Sequence, residues 1–127
     1  MQAVLRIDLP AIVANWRALV ALHAGGAVAG VVKADAYGLG AAPVARALAA
    51  AGCRHFFVAH LAEGVALRAA LGSGPMIAVL NGFAPGGDGE AAGLTPVLNG
   101  LGDVAAHQAR PSAQGAILHL DTGMARL

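Results

Sequence analysis

The sequence predicts an α/β fold built on a parallel sheet, and three observations predict it. Short apolar runs alternate with longer alanine-rich amphipathic segments along all 127 residues, the pattern of strands joined by crossover helices. The apolar runs are nearly continuous, as in a sheet covered on both faces. Polar turns follow such runs at their carboxyl ends, where parallel α/β folds take their ligands.

The elements follow in order. Residues 3–8 alternate as a short strand. Asp8 is placed to cap the next helix, and Pro10 is tolerated in a first helical turn. The helix expected over 9–23 sets Ile12, Trp16 and Leu19 on one face, at spacings of four and three. Trp16 reads as a core anchor rather than a ligand contact, and Gly25-Gly26 ends the helix. A strand over 27–32 and a helix over 41–51, closed by Gly52, come next. Then come a strand over 55–59, a helix over 61–71 ended by Gly72-Ser73-Gly74, and a strand over 76–80. Residues 90–92 are at most a short helix and 95–98 a weak strand. A helix over 101–109 stops at Pro111, and 116–120 is a strand.

About five β units alternating with helices fit either an open doubly wound sheet or a (β/α)8 barrel. No GxGxxG follows the first strand, which weakens the dinucleotide-binding version. A full barrel takes about 250 residues. The chain is therefore expected to be a partial (β/α)8 barrel, cut after about its fifth strand, with strand edges left open. Gly86-Gly87-Asp88-Gly89 is a loop and not a domain boundary.

Composition narrows the function. With 57% hydrophobic and 12% charged residues the chain is too apolar to be disordered. A net charge of +1 with His neutral, and no dense Lys/Arg cluster, argue against nucleic acid and anionic membrane as partners. Cys53 is the single cysteine, so there is no intramolecular disulfide; it reads as a small buried apolar residue rather than a reactive thiol. No basic region precedes an apolar signal-like stretch, and apolar runs are broken before they could span a bilayer. A cytoplasmic protein is expected.

The residues that carry chemistry lie in Val31-Val32-Lys33-Ala34-Asp35-Ala36-Tyr37-Gly38-Leu39-Gly40. A bare ammonium at the mouth of a buried strand is costly, but the amine is useful covalently, as an imine to a carbonyl cofactor. Burial favours the neutral amine that attacks an aldehyde. Val31 shares the parity of Lys33 and should face the same interior. Tyr37 offers a phenol to a phosphate oxygen, and Gly38 and Gly40 let backbone approach closely. Together these features point to pyridoxal phosphate. On position alone, plainer readings stay open: a lysine snorkelling at a strand end, an ordinary buried tyrosine, and an Asp35 that only caps the next helix.

A second strand runs into a polar turn at His119-Leu120-Asp121-Thr122-Gly123-Met124-Ala125-Arg126. Arg126 is a permanent cation with a bidentate fork, suited to a carboxylate or phenolate; alternatively it is a solvated surface arginine. His119 and Asp121, as alternate residues, point the same way. His23, His55, His60 and His107 show no metal-ligand spacing, and no metal is expected. Glu63 and Arg68, five apart on one helix, should not pair directly and read as a solvated helix face.

The two motifs in this order resemble the amino-terminal half of the alanine racemase family, pyridoxal phosphate enzymes on a (β/α)8 barrel. Val32–Gly40 is similar to the family's first hallmark and Asp121–Leu127 to its later one. Phe57-Val58-Ala59, Glu63, Leu67-Arg68, Asp8-Leu9, Ala11 and Asn15-Trp16 also match it. The resemblance covers essentially the whole chain and implies that Lys33 holds the cofactor through an imine and acts, once freed, as the base on the D-alanine face. It implies that Tyr37 binds the cofactor phosphate. It sets Arg126 near the cofactor's phenolic oxygen and the substrate carboxylate, and packs Val31 and Leu80 near the pyridine ring.

The implied reaction interconverts L- and D-alanine for bacterial cell-wall synthesis. An α-proton is very weakly acidic, and a conjugated cofactor ring spreads the charge left on its removal. Racemisation removes a proton on one face and delivers one on the other, so two acid–base groups must flank the carbon; Lys33 is one. In the family the other is a tyrosine from the carboxy-terminal domain of a partner subunit, and further phosphate ligands lie in the later half. A homodimer is implied for the full-length protein, and no racemisation is expected from these 127 residues alone. His119 departs from the carbamylated lysine that some members carry there. A racemase of serine or of broader specificity, and a non-catalytic pyridoxal phosphate-binding barrel, are the alternatives.

Overall fold

The computed structural model describes residues 2–110 and 115–127. Its elements are α1 (Leu9–Leu22), β1 (Gly30–Val31), α2 (Lys33–Tyr37), α3 (Ala41–Ala50), β2 (His55–Val58), α4 (Leu61–Leu71), β3 (Met76–Val79), α5 (Asp88–Ala91), β4 (Thr95–Leu98), α6 (Leu101–Ala109) and β5 (Ile117–Leu118). The strands form one sheet in the order β1-β2-β3-β4-β5, and every neighbouring pair is parallel.

That order decides between the two architectures. A doubly wound sheet reverses its strand order at a switch point. Here each strand is added beside the previous one without reversal, as along the arc of a (β/α)8 barrel. With right-handed crossovers the helices then fall on one side of the sheet. The core lies between that side and the helices. Phe56 and Val58 of β2 and Ile77 and Val79 of β3 are buried there with Val44 and Leu48 of α3, Leu67 of α4 and Leu94.

Local chemistry starts the first helix as expected. The Asp8 carboxylate accepts from the Ala11 N–H at 3.0 Å, and Pro10 sits in the first turn. Trp16 is half-buried against the core, and its Nε1–H donates to the Val28 carbonyl at 3.0 Å, tying α1 to the segment that leads into β1. Leu19 departs from the expected apolar face: it is 56% exposed, because only the first half of α1 faces the core.

The expected strand over 3–8 does not form. Alternation makes a strand only where a ladder partner exists, and Val4 and Leu5 are largely exposed instead. The strand expected over 27–32 shrinks to Gly30–Val31, although the Val32 N–H still reaches the Phe57 carbonyl at 2.9 Å. Pro111 lies outside the described residues. Cys53 is buried, its Sγ 3.3 Å from the His55 carbonyl oxygen. Among the described residues no helix is long and apolar enough to cross a membrane.

Two contacts seat α4 closely on the sheet. A Cβ at Gly64 would come within 2.8 Å of Leu94 Cδ1 and 3.3 Å of Val79 Cγ2, so only glycine allows this approach. Arg68 is no solvated helix residue. Its guanidinium donates to the carbonyls of Ala92 and Gly93, both at 2.9 Å, and of Gly72 and Pro75, both at 2.8 Å. It thereby joins the end of α4 to the turn after α5 and to the segment entering β3.

Candidate active site

All the residues singled out for chemistry lie at or beyond the carboxyl ends of β1, β3 and β5. Lys33 opens α2, which is wound left-handed: φ is 50° at Ala34, 53° at Asp35, 53° at Ala36 and 56° at Tyr37. Four consecutive non-glycine residues in this region cost roughly 1–2 kcal/mol each. Such a turn persists only where its surroundings over-determine it.

Two carboxylates supply that constraint. At the front, Glu63 Oε1 accepts from the Ala34 N–H at 2.7 Å, while Oε2 accepts from Ala59 at 2.8 Å and His60 at 2.9 Å. At the back, Asp35 Oδ1 accepts from the Ala41 N–H at 2.7 Å, capping α3 as the sequence suggested. The Gly40 N–H also returns to the Asp35 carbonyl at 2.9 Å. Glu63 was expected on a solvated helix face, and this is the main correction to the site. Burial pulls its pKa up, but the N–H groups of His60, Ala34 and Ala59, helped by the His60 side chain, outweigh that and hold it below the ordinary 4.5. The readable signal was its place three residues into α4, where a carboxylate caps a helix start.

The turn presents two side chains together. Lys33 is half-buried, not enclosed as expected: among the described residues no element covers that side of the strand end. Its Nζ lies 5.8 Å from the centre of the Tyr37 ring, within cation–π range. Tyr37 is 66% exposed, so the reading of an ordinary buried tyrosine falls. Val31 is 46% exposed and pairs in register with Phe57.

Phe57 in turn lines a cleft of about 380 Å³ with Leu80, Asn99, His119, Met124 and Arg126. Leu80 and Arg126 therefore meet in one cleft, while Lys33 and Tyr37 stand at the β1 end of the same rim. The Asn99 amide donates to the carbonyls of Leu80 at 2.9 Å and Val97 at 3.2 Å. That orientation turns its oxygen to His119 Nδ1 at 2.9 Å, so Nδ1 carries the proton in this network. Neither Asn99 nor its pairing with His119 was visible in the sequence.

Arg126 is held loosely. Its Nη2 donates to Asn81 Oδ1 at 3.4 Å, and Asn81 Nδ2 lies 3.2 Å from His60 Nδ1. Arg126 Nε is buried with no hydrogen-bond partner among the described residues. The loop before it is self-supporting: Asp121 Oδ1 accepts from Gly123 at 2.9 Å and Ala125 at 3.1 Å. Those N–H groups lower the Asp121 pKa, against a smaller effect of burial and with help from His119. Among the described residues no group of three or more His, Cys, Asp or Glu could hold a metal ion.

Known proteins give this geometry a family. Residues 7–127 match the family profile described as "Alanine racemase, N-terminal domain". The chain is 56% identical over 128 residues to an alanine racemase of Acidiphilium cryptum, covering 97% of this chain and 35% of that protein. It is 53% identical over 131 residues to a catabolic alanine racemase of Mesorhizobium japonicum, covering 98% and 34%. The crystal structure of the Bartonella henselae alanine racemase, with covalently bound pyridoxal phosphate, superposes with a TM-score of 0.84. It is 42% identical and covers 95% of this chain and 35% of that one. The Streptomyces coelicolor alanine racemase superposes with a TM-score of 0.78 at 38% identity, covering 94% and 34%. The chain thus spans about a third of the length of these relatives, and with the lysine turn, the later arginine loop and a sequential parallel sheet all in place, it belongs to the alanine racemase family, whose N-terminal domain it matches.

Proposed function

We propose that this chain is the lysine-bearing part of a pyridoxal phosphate-dependent alanine racemase, with the rest of the barrel and a second, β-rich domain outside these residues. The observation that carries the proposal is the left-handed turn holding Lys33 at the strand rim, with Tyr37 5.8 Å from its amine. The cofactor fits the residues present. Lys33 offers an accessible primary amine to an aldehyde, Tyr37 an exposed phenol to a phosphate, and Arg126 a buried Nε–H, unpartnered among the described residues, to an anionic oxygen. Val31 and Leu80 supply apolar surface for a ring. When bound, the cofactor supplies a conjugated system that spreads the charge left by removal of an α-proton.

The chain's own residues then have defined tasks. Lys33 Nζ holds the cofactor and, once released, takes or returns the α-proton on one face of the substrate. Tyr37 fixes the phosphate and so the reach of the amine. Arg126 favours a carboxylate or phenolate in the cleft beside Leu80. Asn99 keeps a proton on His119 Nδ1, which leaves Nε2 as the imidazole atom facing any further partner. The second acid–base group is proposed to come from outside these 127 residues, contributed in a homodimer, so the segment alone does not racemise alanine. A cytoplasmic setting and a supply of D-alanine to the cell wall complete the proposal.

Borohydride trapping tests it. The full encoded chain is mixed with pyridoxal phosphate, reduced, digested and mapped by mass spectrometry, with folding checked by circular dichroism. A phosphopyridoxyl group on Lys33, lost in Lys33→Ala, is expected. A folded protein labelled elsewhere, or not at all, overturns it. Rates on L-alanine and L-serine then separate an alanine enzyme from a broader one, and labelling without turnover would indicate a binding protein.

A further inference from the structure

We propose that Glu63 is a positioning residue for Lys33: from α4, its carboxylate holds the left-handed turn in the backbone conformation that aims the lysine amine. The inference rests on the reading of Lys33 as the cofactor-bearing residue. Three features of the geometry point to it.

First, the bond to Ala34 is not needed to cap a helix. Capping α4 requires only the His60 N–H, which Glu63 Oε2 accepts at 2.9 Å. The carboxylate also reaches 29 residues back, to the N–H that directly follows Lys33, at 2.7 Å. That N–H opens a helical turn and so has no partner within it. Second, the turn it grips is the one with four positive φ values at non-glycine residues, a conformation that needs an external hold. Asp35 secures the far end of the turn at Ala41, but Asp35 lies within the turn and moves with it. Glu63 is anchored on another element, between β2 and the core-facing Gly64. Third, the three N–H groups demand an acceptor on both side-chain oxygens. A carboxylate provides it; an amide would turn an N–H toward one of the donors.

Glu63→Gln is therefore the informative variant, because it preserves size while removing one acceptor. In the full encoded chain, titrated with pyridoxal phosphate, the visible absorbance of the bound cofactor and the borohydride-trapped label on Lys33 are expected to saturate at a concentration on the order of tenfold higher than in the parent. Far-UV circular dichroism is expected to be unchanged. The second variant is Glu63→Gln with Ala34→Gly. Glycine takes a φ near +50° without the Cβ penalty, and Ala34 is exposed, so the turn is populated without the clamp and the binding loss is expected to be recovered at least in part. A residue that merely stabilises α4 would not be rescued by a glycine 29 positions away. Parent-like labelling of a folded Glu63→Gln, or no recovery in the double variant, overturns the proposal. If both variants fail to fold, Glu63→Asp, too short to span to Ala34, decides. Unfolding of that variant too makes Glu63 a residue of global stability and ends the positioning role. Absence of any Lys33 label in the parent is a different result, since it removes the assignment of Lys33 itself.

Discussion

The turn after β1 and the loop after β5 both carry a cation beyond a strand end, yet they are held in opposite ways. The lysine turn is tied to other elements: Glu63 reaches it from α4, and Asp35 joins it to α3. The arginine loop is tied to itself, Asp121 accepting from residues two and four positions on. The cost of winding four non-glycine residues left-handed is offset by bonds from a packed frame. The loop around Arg126 has only Ala125 at positive φ among its non-glycine residues and leaves Arg126 Nε without a partner among the described residues. The first turn is pre-organised by this chain. The second leaves the Arg126 Nε–H without an acceptor among the described residues. Preorganisation fits the role proposed for Lys33, a covalent bond made at a fixed point. The role proposed for Arg126, meeting an anion, needs less.

The strongest way to break this contrast is to disturb the frame beneath the first turn. Adding a methyl group at Gly64 forces α4 away from Leu94 and Val79 and carries Glu63 with it. Gly64→Ala is expected to cost about 1–3 kcal/mol, read as a lowered urea midpoint, together with weaker cofactor capture. The described residues show no comparable seat before the second loop: α6, which precedes β5, has no fully buried residue. A Gly64→Ala protein of unchanged midpoint would mean that the α4 seat is not tight.

Acid sharpens the contrast next. Burial raises the Glu63 pKa, but its three backbone donors win, so the native value lies below the ordinary 4.5. The stabilisation from these bonds is complete above that ordinary value. It declines as the pH falls below about 4.5 and is gone once the pH has passed below the depressed native value. Urea midpoints measured down this range are expected to fall in the parent and to fall less steeply in Glu63→Gln, which has no proton to take up there. Parallel curves for the two proteins would remove Glu63 as a contributor to acid sensitivity.

How far the sequence was legible follows from the same contrast. The positions of Lys33, Tyr37 and Arg126 beyond strand ends could be read because each lies in a contiguous motif that follows an apolar run. The helices could be bounded because caps and glycines act within a few residues: α4 runs over Leu61–Leu71 as expected, and Asp35 and Asp8 cap as expected. The helix-capping half of Glu63 was legible from its place three residues into α4, but its reach to Ala34 and the bonds of Arg68 were not, because those partners are main-chain groups up to 29 residues away and periodicity carries no information about them. Asn99 is hidden for the same reason, its amide spent on the carbonyls of Leu80 and Val97. Residues 3–8 failed in the other direction. Their alternation is real, but a strand is a property of two chain segments, and among the described residues no segment pairs with them.

The smallest effect is expected at Asp121, and it tests the self-supported loop most directly. Asp121→Ala removes the acceptor for both the Gly123 and Ala125 N–H groups and frees Ala125 from its φ of 49°. Both bonds close within four residues and the side chain is exposed, so nothing in the core depends on them. The urea midpoint is expected to stay at the parent value while amide exchange at Gly123 and Ala125 accelerates, the signature of local opening without loss of the fold. Asp121→Asn keeps an acceptor oxygen and is expected to fall between the two in exchange rate. A drop in midpoint as large as that of Gly64→Ala would show that the loop after β5 is also wired into the frame. The two strand ends would then differ only in their residues, and not in how they are held.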